Sequence, residues 1–295
     1  MIYELAKYPS VRYTFCQVGM RGKKKNRVNH WALLSFGCAL VIGSFFVGKW
    51  WAEHQQIRSA IQTADKAQQE ARKVPVLALA PTKIIPKKID GAVATSTKAV
   101  LPKKYSAFNL DMPFISQAPE KNWDANHEDY CEEASLLMAQ AFKTHTVLSV
   151  AEQETRLLEM HDWEMKTFGH FESTPVAEVL RIAKEFLKFK KASIVDSPTY
   201  EYIRSEVAAG HVVLVAADGR ALLNPHFKNG GPAFHMVVVR GFTDEGDFIT
   251  NDPGTQFGEN FVYKKFILMS AMHDWDHEPT DKIPASGVAR IIVLE

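Results

Sequence analysis

An uncharged apolar run near the N-terminus constrains the fold of this chain more than any other feature. Residues 31–48 (WALLSFGCALVIGSFFVG) contain no charged side chain, and with the following KWW the segment reaches residue 51. A helix rises about 1.5 Å per residue, so this segment would span roughly 30 Å, the thickness of the hydrocarbon core of a bilayer. The pattern predicts a single transmembrane helix over residues 31–51.

Flanking charges predict the orientation of that helix. Five lysines and arginines precede it in RGKKKNR (residues 21–27), whereas only Lys49 precedes Glu53 on the other side. Basic flanks remain in the cytoplasm, so residues 1–30 are predicted to be a cytoplasmic tail and the C-terminal bulk to lie outside the membrane. A cleaved signal peptide is the less favoured alternative, because the run is long and ends in Trp-Trp without small residues for cleavage.

Beyond the anchor, the composition changes twice. Residues 52–105 begin with an Ala-, Gln- and Glu-rich segment and continue with Pro, Lys, Ala and Thr, which predicts a solvated stalk and a flexible linker. The length and residue pattern of residues 106–295 predict one compact domain of ordinary size. The net charge of +1, without an aromatic and basic surface pattern, predicts no nucleic-acid partner.

The order of predicted elements, with helices first and antiparallel strands later, predicts an α+β domain. Apolar residues recur at helical spacing in CEEASLLMAQAFK, and helices are also predicted in SVAEQETRLLEMHDW, STPVAEVLRIAKEFLK (with Ser173 as cap and Pro175 in the first turn) and TYEYIRSEVAAG. Strands are predicted in LDMPFIS, HVVLVAA, FHMVVVRGF, DFITND, NFVYKKFIL and ARIIVL.

The unpaired Cys131 is the most informative cysteine. Cys16 falls on the cytoplasmic side and Cys38 in the apolar run, so the exported part has no disulfide partner for Cys131. Its position at the start of a helix favours a lowered thiol pKa, whereas the neighbouring Glu132 and Glu133 oppose ionisation. A functional Cys131 would therefore need a cationic partner.

His235 in GPAFHMVVVRGF is the best candidate for that partner. The chain turns at TDEGD and returns through FITNDPGT, which places Asp252 where it could orient an imidazole if the strand register allows. A slip of one residue would reverse its face, and Asn251 is the alternative. From spacing alone, a catalytic triple and a buried cysteine with a core histidine are equally favoured.

Three blocks in the expected order carry a family resemblance: MPFISQAPEKNWDANHEDYCEEASLLMA, NPHFKNGGPAFHMVVVRGF and FITNDPGT. The chain from Phe108 onward resembles the C39-like peptidase family, bacterial relatives of papain-type cysteine proteases. The resemblance implies a papain-like fold, Cys131 as nucleophile, His235 as general base and acid, and Asp252 as the residue that holds the imidazole. It implies hydrolysis of an amide bond through an acyl-enzyme.

An oxyanion donor is also required. Backbone N–H groups at the start of the Cys131 helix are suited to the role, with Gln117 as the side-chain candidate. The segment between Gln117 and Cys131 is longer than is usual in papain-like enzymes, so Asn126 remains a second candidate. Ordinary loop hydrogen bonding would explain either residue equally well.

The functional hypothesis is a membrane-anchored thiol peptidase outside the cytoplasmic membrane, with a peptide or the peptide part of the cell wall as substrate and the bilayer as partner of residues 31–51. A catalytically inactive papain-like module that binds a peptide or wall fragment is the alternative, and transamidation by the same residues is a third. No cofactor or metal is predicted. The HDWDHE segment (residues 273–278) has metal-ligand spacing, but a polar surface loop is favoured.

Overall fold

A computed structural model describes residues 30–77, 107–276 and 285–295, with side chains from residue 47 onward except at residues 76 and 77. The chain forms two compact units, one ending at Glu53 and the other comprising His54–Glu295. The cytoplasmic tail predicted for residues 1–30 and most of the predicted linker lie outside the described residues.

Helix α1 is one continuous helix over His30–Ala71. It contains the backbone of the predicted transmembrane segment, but the side chains of residues 30–46 lie outside the described part. No helix within the described residues has the length and apolar character needed to cross a membrane.

The end of α1 differs from a free stalk. Side chains are exposed over residues 47–60, but Gln68 and Ala71 are buried in the second unit. The short strand β1 (Val76–Leu77) then pairs in parallel with β2 (Phe108–Leu110). Packing of this unit therefore begins well before Ser106, because Gln68 hydrogen-bonds the Phe257 and Glu259 carbonyls and Ala71 is buried.

Within the part of the chain that the structure describes, five further helices surround a sheet that is antiparallel except for the β1–β2 pair, as expected for an α+β domain. They are α2 (Cys131–Thr144), α3 (Val150–Thr167), α4 (Val176–Arg181), α5 (Tyr200–Ala208) and α6 (Lys265–Ala271). Helix α3 begins with a capping box, in which Ser149 and Glu152 satisfy each other's backbone N–H groups. Helix α4 continues into a π-turn over Ile182–Phe186.

The remaining strands are β3 (Ala192–Asp196), β4 (Val212–Ala217), β5 (His235–Phe242), β6 (Phe248–Asn251), β7 (Phe261–Tyr263) and β8 (Arg290–Leu294). The sheet follows the order β1-β2-β5-β4-β8-β3, and β6 pairs with β5 and β7. Every residue of β4 and β5 is buried, so these two strands form the centre of the core. That centre fixes the position of His235, the first residue of β5.

Three local predictions were wrong. LDMPFIS was predicted as a strand, but β2 ends at Leu110 and residues 111–116 are not a strand, because Pro113 has no N–H to donate to a strand partner. NFVYKKFIL was predicted as one strand, but β7 ends at Tyr263 and α6 begins at Lys265, because the Lys-Lys pair interrupts the strand and Leu268 and Ala271 pack as a buried helical stripe. The cap assigned to Ser173 does not form: the residue before α4 is Pro175, and Ser173 has a left-handed backbone (φ 49°).

Candidate functional site

Cys131 is the first residue of α2 and points into the domain. It is 5% exposed, and α2 is seated on β5 partly by Ser135, whose hydroxyl donates to the Met236 carbonyl at 3.3 Å. The first N–H groups of a helix have no partner within the helix, so the N-terminal turn of α2 presents donors beside the sulfur. This turn is suited to stabilise negative charge.

The immediate surroundings of the thiol favour its neutral form. Sγ of Cys131 donates to Oε2 of Glu132 at 2.8 Å, and Oε1 of Glu132 accepts from the Thr174 N–H at 2.9 Å. Burial raises the pKa of the Cys131 thiol well above its ordinary value, and the charge and hydrogen bond of Glu132 raise it further. The Met236 backbone acts on the sulfur in the opposite direction.

His235 and Asp252 form a buried pair behind the cleft. Nε2 of His235 lies 2.7 Å from Oδ1 of Asp252, and the two residues are 1% and 0% exposed. Oδ1 of Asp252 also accepts from the Gly254 N–H at 2.9 Å, while Oδ2 accepts from Asn224 at 3.0 Å and from the Tyr263 hydroxyl at 2.5 Å. The carboxylate is therefore fixed by four donors, which also fix the imidazole.

These donors keep the carboxylate charged. Burial alone would raise the pKa of Asp252, but the charge and hydrogen bond of His235, together with the bonds from Tyr263 and Gly254, hold that pKa below its ordinary value. The same carboxylate acts on its neighbour: burial and the charge of Asp252 raise the pKa of Tyr263 well above its usual range.

The structure shows which of Asp252 and Asn251 contacts His235, a choice that depends on the register of β5 and β6. Strands β5 and β6 pair Val238 with Asn251, and the register shifts at a bulge between Val239 and Gly241. Asn251 faces away from the imidazole and instead binds the Arg240 guanidinium and the Pro113 carbonyl, both at 2.9 Å. Asp252, the residue after β6, is the one that contacts His235.

Cys131 and His235 are brought to neighbouring positions without a direct hydrogen bond. The sulfur interacts with the backbone of Met236, the residue after His235. Because Nε2 of His235 is occupied by Asp252, Nδ1 is the ring nitrogen left for a thiol, and no hydrogen bond to it occurs within the described residues. The Cys131 sulfur therefore lies beside the β5 backbone next to His235, and its thiol is hydrogen-bonded to Glu132 and not to the imidazole.

The two oxyanion candidates differ in position. Gln117 is 4% exposed and lines the same cleft as His235; its Nε2 donates to the His127 carbonyl at 2.8 Å, and its backbone N–H donates to the Pro253 carbonyl. One hydrogen of the Gln117 amide remains for a further acceptor. Asn126 is exposed and does not line the cleft. Position therefore favours Gln117.

A cleft of about 740 Å³ opens beside His235. This volume is within the range of sites that bind small molecules or short peptide segments. Phe227 packs edge-on against the imidazole, with ring centroids 5.1 Å apart. The other lining side chains are mixed in character, including Trp123, Phe257, Glu128, Asp129, Glu172 and Lys228. Burial, with Glu172 and Glu128 nearby, raises the pKa of Asp129 to about 6.

The described part of the HDWDHE segment, residues 273–276, is not the polar surface loop that was predicted, because Asp274 and Trp275 are buried. Oδ1 of Asp274 accepts from the Val176 N–H at the start of α4, and Oδ2 pairs with Arg290 at 2.8 Å. His273 hydrogen-bonds the Gly287 carbonyl. Across residues 47–75, 107–276 and 285–295, no group of histidine, cysteine and carboxylate side chains has an arrangement that could hold a metal ion.

Several residues that build the site were missed by sequence reasoning. Tyr263 and Asn224 hold Asp252, but they lie 11 and 28 positions from it and have no motif spacing. Gly254 was given no role from the sequence, yet a Cβ there would lie 2.7 Å from Cε1 of His235. The available signal was the glycine after Asp-Pro, which indicates a close approach of backbone to a side chain.

Comparison with known proteins identifies a family whose sequence model matches this chain. The sequence model of the peptidase C39-like family matches residues 109–276, which include Cys131, His235 and Asp252. A crystal structure of a candidate C39-like peptidase from Bacillus anthracis is 18% identical, and the alignment covers 65% of this chain and 98% of that chain with a TM-score of 0.43. No curated protein matches the sequence.

Proposed function

The chain belongs to the C39-like peptidase family, and from this premise we propose that it is a cysteine peptidase in which Cys131 attacks the carbonyl of a peptide bond. The observation that carries the proposal is the buried His235–Asp252 pair at 2.7 Å on a strand against which the Cys131 helix is seated. The family match alone gives the peptidase fold, whereas the roles of individual residues rest on this arrangement.

The proposed mechanism starts with rotation of the thiol from Glu132 toward Nδ1 of His235. The imidazole takes the thiol proton, and Asp252 stabilises the imidazolium that forms. The thiolate then attacks the carbonyl carbon, and the oxyanion is stabilised by the first N–H groups of α2 and the free amide hydrogen of Gln117. His235 gives its proton to the leaving amine, and water, activated by the same imidazole, releases the acyl group from sulfur.

The proposal includes a location. Residues 31–51 would anchor the protein in the cytoplasmic membrane and place the second unit outside it, where peptides or the peptide part of the cell wall would be substrates. This part rests on the uncharged apolar run and the basic residues 21–27. Membrane fractionation of the full chain against a variant lacking residues 31–48 tests it, because the variant should lose its association with the membrane.

A second candidate function, binding without catalysis, is favoured by one observation. The Cys131 thiol donates to Glu132 and its pKa is raised, which is the opposite of an activated nucleophile. An inactive relative with the same fold would use the cleft beside His235 to bind a peptide or a wall fragment.

Alkylation of Cys131 separates the two functions. Residues 54–295 contain Cys131 as their only cysteine, so labelling by iodoacetamide can be followed from pH 5 to 10 without interference. A peptidase should lose about tenfold or more in labelling rate at pH 7 on His235→Ala, since the imidazole is the proton acceptor. A control, His145→Ala at the exposed end of α2, should have no effect. Equal labelling of the wild type and His235→Ala at every pH would exclude the peptidase.

A further inference from the structure

The last turns of α1 contact one wall of the cleft. Gln68 is 8% exposed, and its Nε2 donates to the carbonyls of Phe257 and Glu259 at 2.6 and 2.5 Å. Arg72 lies 3.8 Å from the Glu259 carboxylate, and Ala71 is 1% exposed. One amide from the helix therefore holds two carbonyls of the segment that follows the Asp252 strand.

A second contact reaches a residue that lines the cleft. Oδ1 of Asp65, one turn before Gln68, lies 3.5 Å from Nε2 of His226. The His226 ring packs on the Phe257 ring with centroids 4.9 Å apart, and both residues line the cleft. Helix α1 thus touches this wall from behind through both His226 and the Phe257 backbone.

The segment that Gln68 holds also supports the His235–Asp252 pair. The Gly254 N–H donates to Oδ1 of Asp252, and the Asp252 N–H donates to the Gly258 carbonyl at 3.0 Å. The Gly254 backbone approaches the imidazole so closely that no side chain would fit. Displacement of residues 253–259 would therefore move both the carboxylate and the space available to His235.

We propose that the last turns of α1 are an integral part of the active unit and that Gln68 is a positioning residue for the His235–Asp252 pair. Gln68 acts through residues 253–259 and does not touch the reacting atoms. The inference rests on the proposed peptidase function for its catalytic consequence, whereas the ordering of residues 253–259 is independent of it. A loop that is already held in place has less conformational entropy to lose when a substrate is bound and converted.

The test uses the full chain with Gln68→Met, which keeps the length and helix propensity of the side chain but removes the amide donor. Gln69→Met is the matched control, because Gln69 is the next residue of the same helix and is exposed. The first measurement is hydrogen exchange of the amides of residues 252–259. We expect about tenfold faster exchange in Gln68→Met, as for the loss of one or two ordinary hydrogen bonds, and no change in Gln69→Met.

The second measurement is the pH profile of Cys131 alkylation, read by mass spectrometry on the peptide that contains Cys131. Gln68→Met should shift this profile and reduce the His235-dependent labelling rate about tenfold, while the midpoint of thermal unfolding changes little. A residue that only stabilised the fold would shift the midpoint and leave the profile unchanged. Exchange and profile identical to those of Gln69→Met would overturn the inference.

The two proposals fail in different ways. If the wild type and His235→Ala are labelled at the same rate, the peptidase function is wrong. Hydrogen exchange of residues 252–259 still decides whether Gln68 orders this segment. If Gln68→Met does not fold, Asp65→Asn weakens the other contact of α1 with this wall, the one to His226. It should then speed exchange of the Phe257 amide, and unchanged exchange there would overturn the inference.

Discussion

Sγ of Cys131 donates to Oε2 of Glu132 at 2.8 Å. The protonation state of Glu132 therefore determines whether a negative charge lies beside the proposed nucleophile. Burial raises the pKa of Glu132 to about 8, and the Cys131 hydrogen bond opposes that rise. Burial first, and then the Glu132 charge, also raises the pKa of the thiol. The two groups therefore compete for one negative charge, and an ionised Glu132 disfavours the thiolate.

Glu132→Gln should accelerate labelling of Cys131. The substitution removes the charge but keeps an oxygen that can accept from the Thr174 N–H. At pH 9, where Glu132 is mostly ionised in the wild type, we expect iodoacetamide labelling to be about tenfold faster in the variant, the change for one unit of thiol pKa. Glu201→Gln, an exposed change of the same kind on α5, is the control. Equal rates in all three proteins would show that Glu132 does not govern the thiol.

Three carboxyl groups lie together behind the thiol, and their burial makes stability depend on pH. Glu132, Glu133 and Glu164 are each 0% exposed, and burial raises the pKa of all three. The charges of Glu164 and Glu132 add to burial in raising the pKa of Glu133. For acids with raised pKa values, stability is fully present below the unfolded pKa of 4.5 and is lost as the pH rises through the folded pKa, about 8 for Glu132.

Glu133→Gln should flatten this dependence. The wild type should lose free energy of unfolding between pH 6 and pH 9, and the variant should lose less, by up to about 1.4 kcal/mol per pH unit for one proton. Urea unfolding at each pH measures the difference. Glu159→Gln, at an exposed position of α3, should follow the wild-type curve. A Glu133→Gln slope equal to that of the wild type would mean that Glu133 is already ionised in the folded protein.

The sequence predicted the α2 helix and the site strands because their patterns are local. The helical stripe of α2 and the alternation in β5 are read within a few residues, and a tight turn returns the chain toward His235. The choice of Asp252 over Asn251 could not be made in this way, because it depends on a bulge in β5. A bulge changes which residues face each other without a clear mark in composition.

Other parts of the site depend on contacts between distant segments. Gln68 reaches Phe257 across 189 positions, and Tyr263 meets Asp252 only because β6 and β7 form a hairpin. Residues 52–73 have the composition of a solvated helix, and a few buried positions such as Gln68 and Ala71 do not alter that composition. These contacts are therefore determined by tertiary packing, which the periodicity of the sequence does not predict.

Tyr263→Phe should weaken the support of Asp252. The Tyr263 hydroxyl donates to Oδ2 at 2.5 Å and helps to hold the pKa of Asp252 below its ordinary value. Stability from such a carboxylate is present above the unfolded pKa of 3.8 and is lost as the pH falls through the lower folded pKa. Loss of the hydroxyl should raise the pKa of Asp252 and remove part of this stability.

We expect Tyr263→Phe to lower the free energy of unfolding at pH 7 by about 1.5–3 kcal/mol, the range for a hydrogen bond to a charged group. The deficit should be smaller at pH 3, because that pH is closer to the lowered pKa of Asp252 and a hydrogen bond to a neutral carboxyl is weaker. Urea unfolding at both pH values gives the comparison, with Tyr202→Phe on the surface of α5 as control. A deficit that is equal at the two pH values would assign the effect to the hydrogen bond that the Asn224 amide donates to the Tyr263 hydroxyl at 2.9 Å, and the Asp252 charge would then depend on His235, Asn224 and the Gly254 N–H.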